Sequence, residues 1–153
     1  MIVVSAAYPL LEELDTAECY RLLATQRVGR LGVIIEHYPE VLPVNYALDR
    51  SIVVFRSDVG PKLAAAHHAN VTFEVDTYDL HRHCGWSVLV RGLAEIVDSQ
   101  TDPERSARSL AADPLPWAGG DKPHLVRVIP HGITGRRLAA PERHTAGDTR
   151  GCL

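Results

Sequence analysis

Residues 41–75 read VLPVNYALDRSIVVFRSDVGPKLAAAHHANVTFEV, and the rest of the chain has to fit the architecture that they imply. Two apolar, β-branched runs meet at Asp49-Arg50, which is the pattern of a β-hairpin. Gly60 and Pro61 then punctuate the chain and open a short helix, after which residues 70–76 return to a strand-like composition. The order predicted is strand, tight turn, strand, basic loop, helix and strand.

Outward from this stretch, apolar periodicity and turn residues predict the remaining elements. They are a helix over 16–25, strands over 28–35, 86–97 and 124–130 with a continuation to 138, a helix from Asp102 to about 112, and loops over 37–40, 77–85 and 113–123. Most of the six strands follow one another without an intervening helix, so a parallel sheet is excluded. The fold class predicted is mainly β, a six-stranded antiparallel barrel with short helices.

The length of 153 residues fits one domain, which we place at residues 1–138. The last residues, 139–153, lack apolar periodicity, and the sequence therefore predicts a disordered C-terminal tail. The first residues lack the basic start and long apolar run of a signal peptide. No run approaches the ~20 apolar residues of a membrane span. These features predict a soluble, cytoplasmic protein.

The composition narrows the class of partner. The apolar fraction is 46% and the formal net charge is −3, so the whole molecule has no attraction for nucleic acid or for an anionic membrane. Three cysteines form an odd set without a CxxC pair, which favours neither a disulfide framework nor a zinc knuckle. Basic side chains must therefore act locally if they bind a ligand.

One such local cluster follows the second strand of the hairpin. Arg56 and Lys62 supply positive charge, Ser57 supplies a hydroxyl, and Gly60-Pro61 opens a helix whose first N–H groups are free to point at an anion. This combination indicates a phosphate site. The alternative is a pair of solvated charges beside a surface loop.

Several other polar and aromatic residues fit more than one role. Asn45 interrupts an apolar strand and needs a hydrogen-bond partner, either a ligand edge or the backbone of a neighbouring strand. Trp117, in a loop rich in Pro and Gly, is expected to anchor that loop or to cover a pocket. His81, His83 and Cys84 are too close together for an ordinary zinc site, and we predict no metal. No Ser-His-Asp or Cys-His arrangement marks a nucleophile, so no catalytic residue is named.

The segments RVGRLGV, LPVNYAL, SIVVFRSDVGPKLAAA, VTFEVD and GWSVLVRGLAEIVD, in this order after a helix, resemble the pyridoxamine 5′-phosphate oxidase-like proteins. That family has the FMN-binding split-barrel fold, and the branch most similar is the small actinobacterial type, which is related to nitroimidazole-resistance proteins. The resemblance covers residues 14–138. It implies a homodimer that binds two molecules of FMN at the subunit interface.

The resemblance also implies which residues contact the cofactor. The phosphate would lie at Arg56, Ser57 and Lys62, and the isoalloxazine ring would lie along the preceding strand. The start of the long strand would contribute from near the interface. The full set implied is Pro43, Val44, Asn45, Tyr46, Phe55, Arg56, Ser57, Lys62, Leu63, Trp86 and Ser87.

One departure from the family pattern affects the cofactor. Pro61 stands where many relatives have Ser or Thr, and proline offers neither a hydroxyl nor an N–H to a phosphate. The function expected is an FMN-dependent oxidoreductase acting on an unidentified small molecule. The alternatives are a non-catalytic module that binds or senses flavin, deazaflavin F420 or haem, and a split-barrel dimer without a cofactor.

Overall fold

The computed structural model describes residues 10–139. Seven strands and three helices follow one another along them. They are β1 (Leu11–Leu14), α1 (Thr16–Leu23), β2 (Val28–Ile35), β3 (Tyr38–Asp49), β4 (Ile52–Ser57), α2 (Pro61–Ala66), β5 (Ala69–Asp79), β6 (Cys84–Val97), α3 (Pro103–Ala111) and β7 (His124–Leu138). The predicted tail, residues 139–153, lies outside the described residues except for Ala139.

All strand pairs are antiparallel, in the order β1-β7-β4-β3-β2-β5-β6, and β6 pairs again with β7. This second pairing closes β2 to β7 into a barrel, so the predicted fold class is confirmed. The strand count of six was too low, because Leu11–Leu14 adds a seventh strand to β7 outside the closed ring. Two of its four residues are glutamates, so the segment lacks the apolar alternation that would predict a strand.

Both predicted turn regions next to β3 and β5 are shorter than expected. The β2–β3 turn lies at Glu36 and His37, both with positive φ, and β3 begins at Tyr38 instead of after residue 40. The predicted loop 77–85 is mostly strand, and only residues 80–83 remain as a turn between β5 and β6. These segments are polar because their side chains face outward, not because the backbone leaves the sheet.

Glycines allow the barrel walls to approach closely. A Cβ on Gly29 would lie 2.2 Å from the ring of Phe73, so only glycine leaves room for this core aromatic. Gly92 lies at the register shift between β6 and β7, where a Cβ would be 2.2 Å from the carbonyl oxygen of Ile129. Gly92 therefore lies at a β-bulge in β6.

The core fills the barrel interior with aliphatic and aromatic side chains; the largest of those that are fully buried are Tyr46, Phe55, Phe73, Leu22, Leu23 and Leu31. Tyr46 and Phe73 meet edge to face with ring centroids 4.8 Å apart. The Tyr46 hydroxyl donates a 2.5 Å hydrogen bond to the carbonyl of Leu23, which joins the end of α1 to β3. No helix within residues 10–139 is long and apolar enough to cross a membrane.

Helix α3 is held against β3 and β7 by a buried ionic cluster. Asp49 accepts a 2.9 Å hydrogen bond from the Ser109 hydroxyl and lies 3.7 Å from Arg127. The Arg127 side chain, 3% exposed, also pairs with Glu95 at 3.1 Å. Because α3 is fixed in this way, the segment that follows it, residues 112–123 (the α3–β7 loop), starts from a defined position on the barrel.

Candidate functional site

Two of the predicted site residues lie side by side on the outside of the barrel. The last β3–β4 pair with buried side chains on both strands is Tyr46 with Phe55. Asn45 precedes Tyr46 on β3, and Arg56 follows Phe55 on β4. Because side chains alternate between the two faces of a strand, both Asn45 and Arg56 point outward. The hairpin thus presents an amide and a guanidinium next to each other.

The α3–β7 loop crosses over this pair. The backbone N–H of Trp117 donates to Asn45 Oδ1 at 2.8 Å, and Arg56 Nε donates to the carbonyl oxygen of Lys122 at 2.9 Å. The partner of Asn45 is therefore the α3–β7 loop and not a neighbouring strand. Trp117 is 76% exposed, so the loop is anchored here by its backbone and not by the indole; of the two roles expected from sequence, anchoring by the Trp117 ring is wrong.

Positive charge gathers where the loop meets the end of β4. Lys122 Nζ lies 2.9 Å from Asp58 Oδ2, and Lys62 lies half-buried nearby on α2. Burial lowers the pKa of Lys62, and the positive charge of Lys122 lowers it further, while Asp58 acts in the opposite direction. Lys62 is thus within electrostatic reach of Lys122, and Arg56 is bonded to the backbone of Lys122. We call Arg56, Lys62 and Lys122 the cation cluster, with Asp58 as the carboxylate beside Lys122.

The other predicted donors at this place are less accessible. Ser57 is buried, and its hydroxyl donates to the carbonyl of Asp58 at 3.1 Å. Helix α2 has only six residues, and Pro61 lies in its first turn. Its N-cap residue is Gly60, which has no side chain to cap the helix. The side-chain cations, and not the helix start, are therefore the candidate anion-binding groups at this place.

Several predicted contacts turn into the barrel. The side chains of Val44, Tyr46, Phe55 and Leu63 are core residues. Such residues can meet a ligand outside the barrel only through their backbone. Pro43 is exposed and pairs with Arg30 of β2, so it belongs to the outer surface beside Asn45.

Trp86 and Ser87 lie elsewhere in the protomer. Ser57 pairs with His124 at the start of β7, whereas Trp86 pairs with Arg137 near its end. Trp86 is only 5% exposed and packs in the core of its own chain, but with Ser87 it lines an open cavity of about 420 Å³. A single protomer therefore does not bring this pair to the cation cluster.

Histidines and acidic residues do not converge on a metal centre in the described part of the chain. No group of three or more His, Cys, Asp or Glu side chains among residues 10–139 has the arrangement of a metal site. His81 and His83 are exposed in the β5–β6 turn, while Cys84 is buried at the start of β6.

Sequence reasoning missed Lys122. It lies in the loop of Pro and Gly residues, where nothing in the local pattern indicates a ligand. One signal was available, because the chain contains only two lysines, Lys62 and Lys122. Because sixty positions separate the two lysines, the sequence does not indicate that the fold brings them together.

Comparison with known proteins places the chain in a family. The profile of the pyridoxamine 5′-phosphate oxidase family matches residues 15–137. The uncharacterized protein Rv0080 of Mycobacterium tuberculosis is 34% identical over 137 residues, which cover 86% of this chain and 88% of that protein.

Solved structures agree with this match. A FAD-binding protein from Mycobacterium smegmatis is 36% identical with a TM-score of 0.70, covering 83% of this chain and 99% of its own. A FAD-binding protein from Mesorhizobium loti is 28% identical with a TM-score of 0.65, covering 84% and 99%. With most of its length matched in both sequence and fold, the chain belongs to the pyridoxamine 5′-phosphate oxidase family.

Proposed function

We propose that this protein binds a flavin, FMN in the first place, on the outer face of the β3–β4 hairpin and uses it in an oxidation or reduction of a small molecule. The observation that carries the proposal is the cation cluster beside Asn45. The cation cluster would bind the phosphate and Asn45 would bind the ring. One surface thus offers groups for both ends of a molecule that has a phosphate at one end and a polar ring at the other.

The charge of the cluster suits a phosphate. Arg56, Lys62 and Lys122 carry three positive charges, and Asp58 offsets one of them. A phosphate monoester carries about −1.5 to −2 near neutral pH, which is close to the remaining charge. Arg56 uses Nε to hold the loop, so its terminal nitrogens are free of that bond and can bind an oxyanion side by side.

A second copy of the chain completes the site in this proposal. Trp86 and Ser87 lie at the far end of β7 from the cation cluster, so they reach a flavin there only from another protomer. A homodimer would place the cavity end of one barrel against the hairpin of the other. This agrees with the arrangement that the family resemblance implied.

The flavin supplies the hydride or electron transfer when it is bound, and the chain supplies binding and orientation. Arg56, Lys62 and Lys122 neutralise the phosphate, and Asn45 holds the polar edge of the ring. The described site contains no nucleophile, and proton transfer by a side chain is not needed for this chemistry. We infer a soluble, cytoplasmic enzyme that acts on a small molecule.

FAD is the second candidate, and a specific observation favours it. The relatives from M. smegmatis and M. loti are described as FAD-binding proteins, and the first is 36% identical to this chain. The cation cluster could then hold the pyrophosphate, with the adenosine lying beyond it. F420 also carries a phosphate and is tested in the same experiment.

The test is a titration of the purified protein with riboflavin, FMN, FAD and F420, followed by flavin absorbance and fluorescence. FMN or FAD should bind more tightly than riboflavin, and Lys62→Ala should abolish most of that difference because it removes a phosphate contact. Arg50→Gln, a charge loss in the exposed β3–β4 turn, is the matched control and should change nothing.

Two results would contradict the proposal. If no flavin binds, the flavin function is wrong; if Lys62→Ala weakens riboflavin and FMN equally, the phosphate site is misplaced. Bleaching of the bound flavin by a reduced nicotinamide, and recovery with an acceptor, separates an oxidoreductase from a flavin carrier.

A further inference from the structure

The two lysines of this chain occupy one site. Only two of its 16 basic residues are lysines, at positions 62 and 122, and the fold brings them within electrostatic reach of each other. Arg56 also contacts the α3–β7 loop at Lys122. Three cations from three different segments, β4, α2 and the α3–β7 loop, thus converge on one region.

Lys122 is held in place from two sides. Its carbonyl oxygen accepts the hydrogen bond from Arg56 Nε at 2.9 Å, and its ammonium lies 2.9 Å from Asp58. The Lys122 side chain is only 17% exposed, whereas that of Asp58 is 56% exposed. The Lys122 side chain is therefore largely buried with its ammonium oriented by Asp58, and this partner is a carboxylate that can turn into water at little cost.

The positive charges exceed what Asp58 can neutralise. Burial is the main cause that lowers the pKa of Lys62; the charge of Lys122 lowers it further, and Asp58 acts in the opposite direction. An incoming oxyanion relieves this repulsion. A carboxylate that holds a lysine until a phosphate arrives is consistent with this arrangement.

We propose that Lys122 is a phosphate-binding residue of the flavin site, and that its ammonium moves from Asp58 to the flavin phosphate when the flavin binds. The inference rests on the proposed function and adds to it the exchange of the Lys122 ammonium from Asp58 to the phosphate. The ligand chemistry is a phosphate oxyanion, as the monoester of FMN or the pyrophosphate of FAD.

The first experiment compares dissociation constants for riboflavin, FMN and FAD in the wild-type protein and three variants. Lys122→Gln should weaken the phosphorylated flavins by about tenfold or more, the effect of one charge-assisted hydrogen bond, and leave riboflavin unchanged. Lys122→Arg keeps the charge and should retain most of the affinity. Asp58→Asn removes the competing carboxylate and should tighten FMN binding severalfold.

Because Asp58 is mostly exposed, Lys122→Gln costs the fold little, and thermal unfolding of the variant should match that of the wild type. Loss of FMN together with FAD identifies a general phosphate contact. Loss of FAD alone would assign Lys122 to the second phosphate of a pyrophosphate. Both results support the proposal and distinguish the two ligands.

A second experiment uses the wild-type protein without mutation. Acetylation of lysine amines, quantified by peptide mass spectrometry, should be slowed at both Lys62 and Lys122 by FMN but at neither by riboflavin. If FMN binds but Lys122→Gln has wild-type affinity and Lys122 is not protected, the inference is wrong while the flavin function stands. If no flavin binds, both are wrong.

Discussion

The backbone N–H of Trp117 donates a 2.8 Å hydrogen bond to Oδ1 of Asn45. An amide N–H can only donate, so it fixes which end of the Asn45 side chain carries the oxygen. The NH₂ group is left to meet a ligand, and its N–H donors can recognise an acceptor, such as a ring carbonyl or a ring nitrogen with a lone pair. The α3–β7 loop thus determines the chemistry that the hairpin offers.

Asn45→Asp separates the two roles of this side chain. An aspartate can still accept the bond from Trp117, but it has no N–H to donate and adds a negative charge. We expect an unchanged loop and flavin affinity about tenfold weaker, from loss of a bond of roughly 1–1.5 kcal/mol. The measurements are flavin titration and hydrogen exchange at the Trp117 amide.

Asn45→Ala is the matched control for that prediction. It loses both bonds, so the Trp117 amide should exchange faster than in the wild type, whereas in Asn45→Asp it should remain protected. Wild-type flavin affinity in Asn45→Asp would contradict the inferred orientation of the amide.

The hairpin, the helix caps and the barrel class were predictable because they depend on local sequence. Asp15 accepts a 2.8 Å hydrogen bond from the N–H of Glu18, as the spacing of the two residues indicates, and Asp102 caps α3 in the same way. The strand β1 was not predictable, since its exposed glutamates follow no apolar alternation and its pairing with β7 depends on a segment far along the chain.

The candidate site was predictable only in part, for a related reason. Arg56 and Lys62 lie close in sequence, so the local sequence alone indicates a phosphate site. Lys122 reaches the same place through the docking of α3 on the barrel, which depends on a buried cluster of residues distant in sequence. No local pattern reports such a contact.

Affinity for FMN should fall at high pH as Lys62 loses its proton. The pKa of Lys62 in the free protein lies below its ordinary value of 10.5, because burial and Lys122 disfavour the charged form. Binding of a phosphate favours the protonated form, so the dissociation constant should start to rise at a lower pH than an isolated lysine would give. Flavin titrations across alkaline pH measure this onset.

The neighbouring lysine provides the control for this pH effect. In Lys122→Gln the repulsion between the two ammonium groups is gone, so the pKa of Lys62 should rise and the onset should move to higher pH. Because riboflavin has the same ring but no phosphate, its affinity should have the same pH dependence in both proteins. An onset that does not move would contradict the coupling of the two lysines.

Asp49→Ala should destabilise the fold strongly. The substitution takes the carboxylate away from Arg127, whose side chain is 3% exposed, and leaves Ser109 without its acceptor. Loss of one partner from a buried ion pair costs about 3–5 kcal/mol, which denaturant unfolding would detect. Arg21→Ala is the control, since the Arg21 side chain that pairs with Glu18 is 61% exposed. It should cost under ~1 kcal/mol, and an equally small loss in Asp49→Ala would show that the cluster does not hold α3.

Glu18 should contribute stability that disappears in acid. Its carboxylate accepts hydrogen bonds from Arg21, on the same helix, and from Arg137 of β7, and these bonds lower its pKa from 4.5 to about 2. A lowered pKa in the folded state means stability that is fully present above pH 4.5 and is lost as the pH falls through about 2. Glu18→Gln should therefore be less stable than the wild type at pH 7, and the stabilities of the two proteins should converge between pH 4.5 and 2.

Denaturant midpoints measured across this pH range test the prediction. The control is Glu40→Gln, which removes an exposed carboxylate of β3 and should follow the wild type throughout. A difference between Glu18→Gln and the wild type that does not change with pH would contradict the role of the Glu18 charge.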